Sequence, residues 1–348
     1  MGRRIVVVTS DVPFVEGGHL TIARSTLRAL QEAGYEADLV LTPQNRFGRQ
    51  FRAYLANRFT DVGLDGLGRT VDQVISFRFP SFAVKHPRHV CWLNHRLREY
   101  YDLWDVLRAQ LSRKGLIKET IRRKAIHVAD TYLLKHNVTK LFAQSRTIQT
   151  RLRKWGNIPS EVLYPPPPKR EYRTDGYDKI IFSVSRIHRL KRLDLLVEAF
   201  RFVRDTELRA FIIGDGPEFP ALQSKVKQYG LENRIYLLGS TDEPTLLSYY
   251  ARCLAVFFCP LNEDYGLVTP EAFASRKAVI TARDSGGPAE LVKDGESGFV
   301  VEPDPRLIAQ KMDELAENKP LAERMGSKAY EQVSAITWEK TIKKLVIV

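Results

Sequence analysis

Four consecutive prolines, Pro165 to Pro168, stand near the middle of a 348-residue chain. Proline fixes φ and carries no N–H, so this run is a stiff linker and not the interior of a helix or a sheet. At roughly 100–200 residues per domain the length calls for two domains, and the prolines mark the boundary. On either side the same alternation starts afresh. Arg4 to Thr9 reads as a buried strand, Ser10 to Gly18 as a turn-rich loop, His19 to Ala33 as an amphipathic helix and Ala37 to Leu41 as the next strand. Further strands are expected at Gln73 to Ser76, His89 to Leu93 and Lys140 to Ala143, and a helical stretch at Asp105 to His136. After the prolines, strands are expected at Lys179 to Val184, Leu208 to Ile213, Ile235 to Leu238, Ala255 to Cys259 and Ala278 to Ala282. Helices are expected at Arg192 to Arg204, Ala221 to Tyr229, Thr245 to Arg252 and Pro270 to Ser275. Strands alternating with helices give an α/β fold with a parallel sheet, here two doubly wound domains. Ligands of such sheets bind at the carboxyl ends of the strands, which makes the cleft between two such domains the expected site.

The charge is divided unevenly. The net of +13 lies entirely in residues 1–168, which hold 27 basic and 14 acidic residues; the remainder is balanced at 27 each. The first half is therefore expected to meet something anionic. Its stretch from Asp105 to Lys124 is a candidate basic amphipathic element for an anionic bilayer surface. No apolar run approaches the roughly 20 residues of a membrane span, and the apolar run near the N-terminus is too short for a signal peptide. Three scattered cysteines fit neither a disulfide framework nor a zinc site, so a reducing cytoplasm is expected. The histidines form no convincing metal set with neighbouring Cys or carboxylates.

Two constellations carry chemistry. The loop Glu263 to Glu271 follows an apolar strand, and Thr269-Pro270-Glu271 reads as a helix start with Thr269 as N-cap. Free N–H groups at such a start suit a phosphate, Gly266 allows close backbone approach, and the two carboxylates can accept from sugar hydroxyls. Taken alone, Glu271 is better explained by helix-end electrostatics, and the plain reading of Glu263 is a solvated loop carboxylate. The second constellation, Ser185 to Arg192, offers Arg186 and Lys191 at a strand end, where they can neutralise a diphosphate.

The run Ser185-Arg186 to Lys191, Asp194 to Phe200 and Gly214-Asp215-Gly216-Pro217-Glu218 resembles the retaining glycosyltransferases of family 4, the group 1 type. Glu263 to Glu271 looks like that family's paired-glutamate motif, and Ser285 to Glu290 with Asp294 to Phe299 like its following glycine-rich loop. The resemblance implies a GT-B fold of two Rossmann-like domains facing a cleft. Residues 1–164 would bind the acceptor, 165–178 would link, 179–335 would bind the nucleotide sugar, and 336–348 would pack back on the first domain. It implies that Arg186 and Lys191 hold the donor diphosphate, that Glu271 binds the ribose, and that Glu263 contacts the sugar near the reacting carbon. Backbone amides from Gly266, Leu267, Val268 and Thr269 would touch sugar and phosphate, and Gly17 and Gly18 would close from the opposite domain. His95, just past a strand end, would meet the donor sugar or the acceptor, with His19 and Arg96 on the acceptor side. Ser185, Arg276 and Ala278 depart from the family's usual Gly, Gly and Pro.

The reaction implied by the resemblance is retaining transfer of a sugar from a nucleotide-diphosphate donor to a carbohydrate or lipid-linked acceptor, with no cofactor, no metal and no nucleic acid. The enzyme is expected in the cytoplasm, at the inner face of the cell membrane. A sugar-nucleotide epimerase or hydrolase on a similar fold, and a basic nucleic-acid-binding protein, are the alternatives; the second leaves the motifs after Pro168 unexplained.

Overall fold

A computed structural model describes residues 2–12, 17–44 and 48–347. Its contacts divide the chain into two compact units, Met1–Pro165 together with Thr337–Val348, and Pro166–Ile336. Residues 13–16, in the middle of the turn-rich loop, lie outside the described residues.

In the first unit β1 (Arg4–Asp11), β2 (Glu36–Pro43), β3 (Gln73–Ser76), β4 (His89–Leu93), β5 (Lys140–Ala143) and β6 (Glu161–Val162) make one parallel sheet in the order β2-β1-β3-β4-β5-β6. The helices are α1 (Gly18–Glu32), α2 (Gln50–Arg58), α3 (Trp104–Arg108), α4 (Arg113–His136) and α5 (Arg146–Lys154). The expected helix from Asp105 to His136 is thus two helices. Ser112 accepts from the Gly115 N–H at 3.2 Å and starts a new helix, so the intervening residues belong to neither.

In the second unit β7 (Ile180–Val184), β8 (Arg209–Ile213), β9 (Ile235–Gly239), β10 (Ala255–Phe257), β11 (Ala278–Ala282) and β12 (Gly298–Val301) pair in parallel in the order β12-β11-β10-β7-β8-β9. Its helices are α6 (Leu193–Ala199), α7 (Phe219–Gln228), α8 (Glu243–Arg252), α9 (Val268–Ala274), α10 (Gly287–Leu291), α11 (Pro305–Glu317) and α12 (Lys319–Ser334). The helix expected to run from Arg192 to Arg204 stops at Ala199. The buried Asp313 carboxylate takes the backbone N–H groups of Arg204 and Asp205, at 3.0 and 3.2 Å, which holds that segment out of the helix. A further helix, α13 (Trp338–Leu345), returns to the first unit. There the Trp338 ring meets Trp92 edge-on at 6.3 Å, and the Gln73 amide donates to the Leu345 carbonyl at 2.7 Å.

Both sheets are doubly wound, and each therefore has a point where the winding reverses. It falls between β1 and β3 in the first sheet and between β7 and β10 in the second. Loops leaving the two strands on either side of such a point diverge and leave a crevice at their carboxyl ends.

The first core also holds a buried titratable group. His89 on β4 is fully buried; its Nδ1 donates to the Asn137 carbonyl at 3.1 Å, and its Nε2 lies 2.7 Å from the Ser76 hydroxyl. Burial pushes this imidazole down to about 4. The folded value is the lower one, so its contribution is present above the unfolded value near 6.5 and is lost as pH falls toward 4. Denaturant titrations from pH 7 to pH 4 should therefore show falling stability, His89 supplying about 3 kcal/mol of the loss. His89→Gln should flatten that slope; an unchanged slope would remove His89 as its source.

Candidate functional site

The reversal between β7 and β10 brings together the residues singled out after the prolines. β7 leads into Ser185 to Lys191 and β10 into the loop carrying Glu263. The two loops are tied by the Leu261 N–H donating to the Leu190 carbonyl at 2.7 Å. Arg192, in the left-handed conformation at φ 48°, donates from Nε to the Cys259 carbonyl at 2.8 Å and from Nη2 to that of Pro260 at 3.0 Å, and pairs with Asp284 at 2.6 Å. Sequence reasoning missed this clamp. Its only signal was the fourth basic residue of the run, which looks like its neighbours.

The glycines hold the loops at contact distance. Gly286, at φ 71°, lies so close that a Cβ would stand 2.4 Å from the Glu263 carbonyl oxygen, and the Gly287 N–H donates to that oxygen at 3.0 Å. Gly214, at φ 136°, abuts Ser185 as closely, a Cβ falling 1.9 Å from its carbonyl oxygen. The departures from the family pattern are absorbed locally. Arg276 takes the left-handed conformation, φ 54°, which favours glycine, and its guanidinium sits 3.9 Å from the Tyr330 ring centroid. A strain of about 1–2 kcal/mol is thereby partly offset by a cation–π contact of about 0.5–1 kcal/mol.

Within this frame Lys191 Nζ lies 2.7 Å from Glu263 Oε2, both side chains about one-fifth exposed. The groups expected to meet phosphate and sugar thus pair with each other. An ammonium has three protons and a carboxylate several lone pairs, so each keeps capacity for a ligand. Arg186 is exposed and makes no hydrogen bond or ion pair among the described residues. His188 accepts from the Leu190 N–H at 3.3 Å; burial and the cationic Arg186 and Arg189 hold its imidazole below the ordinary value, hence neutral.

The helix after Glu263 differs from the expectation. α9 starts at Val268 with Leu267 as cap; Thr269 is buried in the first turn, and its hydroxyl has no hydrogen-bond partner among the described residues. Glu271 turns inward. One carboxylate oxygen takes Arg170 at 2.8 Å and the other the Tyr250 hydroxyl at 3.0 Å, and Arg170 also pairs with Glu243 at 2.8 Å. Burial pushes the Glu271 carboxyl up from its ordinary value, opposed by Arg170 and the Tyr250 hydroxyl. Neither partner was singled out from sequence: Arg170 is a basic residue two positions past the prolines, and Tyr250 reads as a core aromatic.

In the first unit the residues past β1, β3 and β4 form a second constellation. His19 stands in the first turn of α1, whose cap Gly17 is extended and whose start, with Gly18, has no side-chain cap. His19 Nε2 is 4.0 Å from Asp11, and its imidazole is lowered to about 3 by burial, then by Arg78 and His95. It is therefore neutral at pH 7. His95 donates from Nδ1 to the Arg96 carbonyl at 2.8 Å. Arg96 is turned to the interior. It donates to the Trp155 and Arg151 carbonyls at 3.0 Å each and stacks 3.8 Å from the Tyr101 ring centroid, so it anchors structure and offers no exposed group to an acceptor. Arg78, missed from sequence, lies close enough to His19 to act on its imidazole, as does His95. Among the described residues no three His, Cys, Asp or Glu side chains stand close enough to hold a metal ion.

Two doubly wound Rossmann-like domains, with loops that gather basic groups and paired carboxylates at the second sheet's reversal, define the GT-B class. Solved structures share this fold. WaaG, a glycosyltransferase involved in lipopolysaccharide biosynthesis, superposes with a TM-score of 0.72 at 14% identity, covering 99% of this chain and 100% of that one. Anabaena HepE, solved in complex with UDP-glucose, gives 0.71 at 15% identity and covers 98% of each. Residues 168–332 match the family model of the group 1 glycosyl transferases. The N-acetyl-alpha-D-glucosaminyl L-malate synthase of Bacillus anthracis is 28% identical over 234 residues, 66% of this chain and 60% of the relative. The chain thus spans less than two thirds of that relative's length.

The Arg170–Glu271 pair gives a direct test. Removing Arg170 leaves a buried carboxylate without its counter-charge, a change that costs about 3 kcal/mol or more. Arg170→Ala should lower unfolding stability by that amount in denaturant titrations, and Arg170→Lys should recover part of it. Wild-type stability in Arg170→Ala would show that Arg170 does not hold Glu271.

Proposed function

We propose that the protein transfers a sugar from a nucleotide-diphosphate donor to an acceptor hydroxyl with retention at the anomeric carbon. The observation that carries this is the Lys191–Glu263 pair at the β7–β10 reversal, with Arg186 exposed on the same loop as Lys191. In this reading Arg186 and the remaining Lys191 protons hold the diphosphate, and the free lone pairs of Glu263 orient the sugar. The amides of Gly266, Leu267, Val268 and Thr269 line sugar and phosphate, and Glu271, fixed by Arg170 and Tyr250, meets the ribose. The bond from the anomeric carbon to the diphosphate oxygen breaks through an oxocarbenium-like state. The acceptor oxygen bonds to that carbon on the same face, and its proton passes to the departing phosphate oxygen. Charge building on the leaving group is what Arg186 and Lys191 stabilise, without a metal.

The acceptor is a carbohydrate or a lipid-linked glycan bound on the first domain, where the neutral His19 and, beside it, His95 can exchange hydrogen bonds with hydroxyls. Gly17 and Gly18 stand at the start of α1, which has no side-chain cap among the described residues. The work is done in the cytoplasm, at the inner face of the cell membrane. Support for a nucleotide sugar comes from the family match and from relatives of this fold solved with UDP and UDP-glucose.

Arg186→Ala and Lys191→Ala should each lower kcat/KM about 100-fold or more. Because the Lys191–Glu263 pair is partly exposed, folding stability should change by no more than about 1 kcal/mol. Near-normal turnover in either variant would remove the diphosphate role. A thermal-shift panel of nucleotide sugars and free nucleotides should raise the wild-type Tm for one base, and free-nucleotide release matching transfer in the absence of acceptor would favour a hydrolase. Activity should survive EDTA; loss restored by Mg²⁺ or Mn²⁺ would contradict metal independence.

A further inference from the structure

Two neighbouring helices of the first unit have their polarity reversed. On α4 the buried positions include the carboxylates Glu119 and Asp130, while Ile117 and Ile121 are each 65% exposed, Val128 70% and Tyr132 63%. Spacings of four, seven and four put these apolar residues on one face of the helix. On α2 the buried side includes Gln50 and Asn57, while Phe51 and Leu55 face solvent and Phe59, just past the helix, is 81% exposed. The inward carboxylates are satisfied. Asp130 accepts from the Tyr54 and Tyr101 hydroxyls, and Glu119 from Tyr100 and Arg122. The apolar residues are therefore not displaced core residues; the interior at these positions is built to be polar.

An open groove of about 440 Å³ runs between the two helices, lined among others by Phe51, Leu55, Ala129 and Tyr132. The exposed charges of the two helices have one sign. α2 contains no carboxylate, and the only two on α4 are the buried ones, whereas Arg52, Arg58, Lys114, Lys118, Lys124 and Lys135 are exposed. Contiguous exposed apolar surface signals a partner, and the charge selects it. A second copy would bring the same positive face and be repelled. An anionic bilayer supplies both requirements, hydrocarbon for the isoleucines and phenylalanines and phosphate for the lysines and arginines.

We propose that the α2–α4 face docks on an anionic lipid bilayer, with Ile117, Ile121, Leu55 and Phe59 entering the interface and the surrounding Lys and Arg meeting lipid phosphates. It narrows the Asp105 to Lys124 stretch to the exposed face of α4 and adds α2. It extends the membrane-side part of the proposed function, but its test needs neither donor nor acceptor.

The full chain is floated with vesicles of phosphatidylglycerol and phosphatidylcholine, and with phosphatidylcholine alone. Binding should be about tenfold or more tighter to the anionic vesicles and should weaken with salt. The exposed-site variants Ile117→Ser/Ile121→Ser and Lys118→Gln/Lys124→Gln should each weaken it about tenfold, through lost hydrocarbon contact and lost charge respectively. Lys191→Ala should bind as wild type does, which separates docking from the transfer reaction. Equal binding to both vesicle types, or wild-type binding by the isoleucine variant, would overturn the proposal. So would a dimer, seen by sedimentation equilibrium, that the isoleucine variant abolishes.

Discussion

β7 hydrogen-bonds in parallel to β8 on one side and β10 on the other, and that double pairing fixes where the two following loops begin. Because the winding reverses there, the loops leave in different directions and the backbone at their base is open. Everything at the second unit's site is set by this origin. Lys191 reaches Glu263 because their loops start from adjacent strands, and Arg192 and the Leu261 N–H keep them at that spacing. The glycines at 214 and 286 matter for the same reason, since any side chain there would push a loop away from its neighbour.

The two glutamates of the motif illustrate how environment divides one residue type into two roles. Glu263 is partly exposed and shares one ammonium, so it retains lone pairs and solvent access. Glu271 is buried, with both oxygens engaged by groups from distant parts of the chain, and so is rigid. A rigid carboxylate with spare lone pairs is suited to gripping a group that does not react; the partly exposed one is suited to a group that does.

The first unit uses buried polarity differently. The carboxylates of α4 and the amides of α2 bond inward to tyrosines and backbone, which frees the apolar side chains of both helices to face out. Periodicity finds the apolar stripe of α4 but does not say whether it faces a core or a partner. The actual orientation is decided by Tyr54, Tyr100 and Tyr101, whose hydroxyls need buried acceptors and are supplied by Asp130 and Glu119.

Local sequence determined the alternation of strands and helices, the boundary at the prolines and the loops that carry the chemistry. Each of these is a short-range property: proline's missing donor, glycine's freedom, and apolar runs of strand length. Tertiary structure decided the partners. Arg170 with Glu271, Arg192 with Asp284, and Arg78 beside His19 lie far apart in the chain and become neighbours only when strands take their order in a sheet. It also turned Arg96 to the interior, where its guanidinium bonds to backbone carbonyls. A side chain's direction depends on which bonds the interior must satisfy, and those bonds are made by residues that no local pattern names.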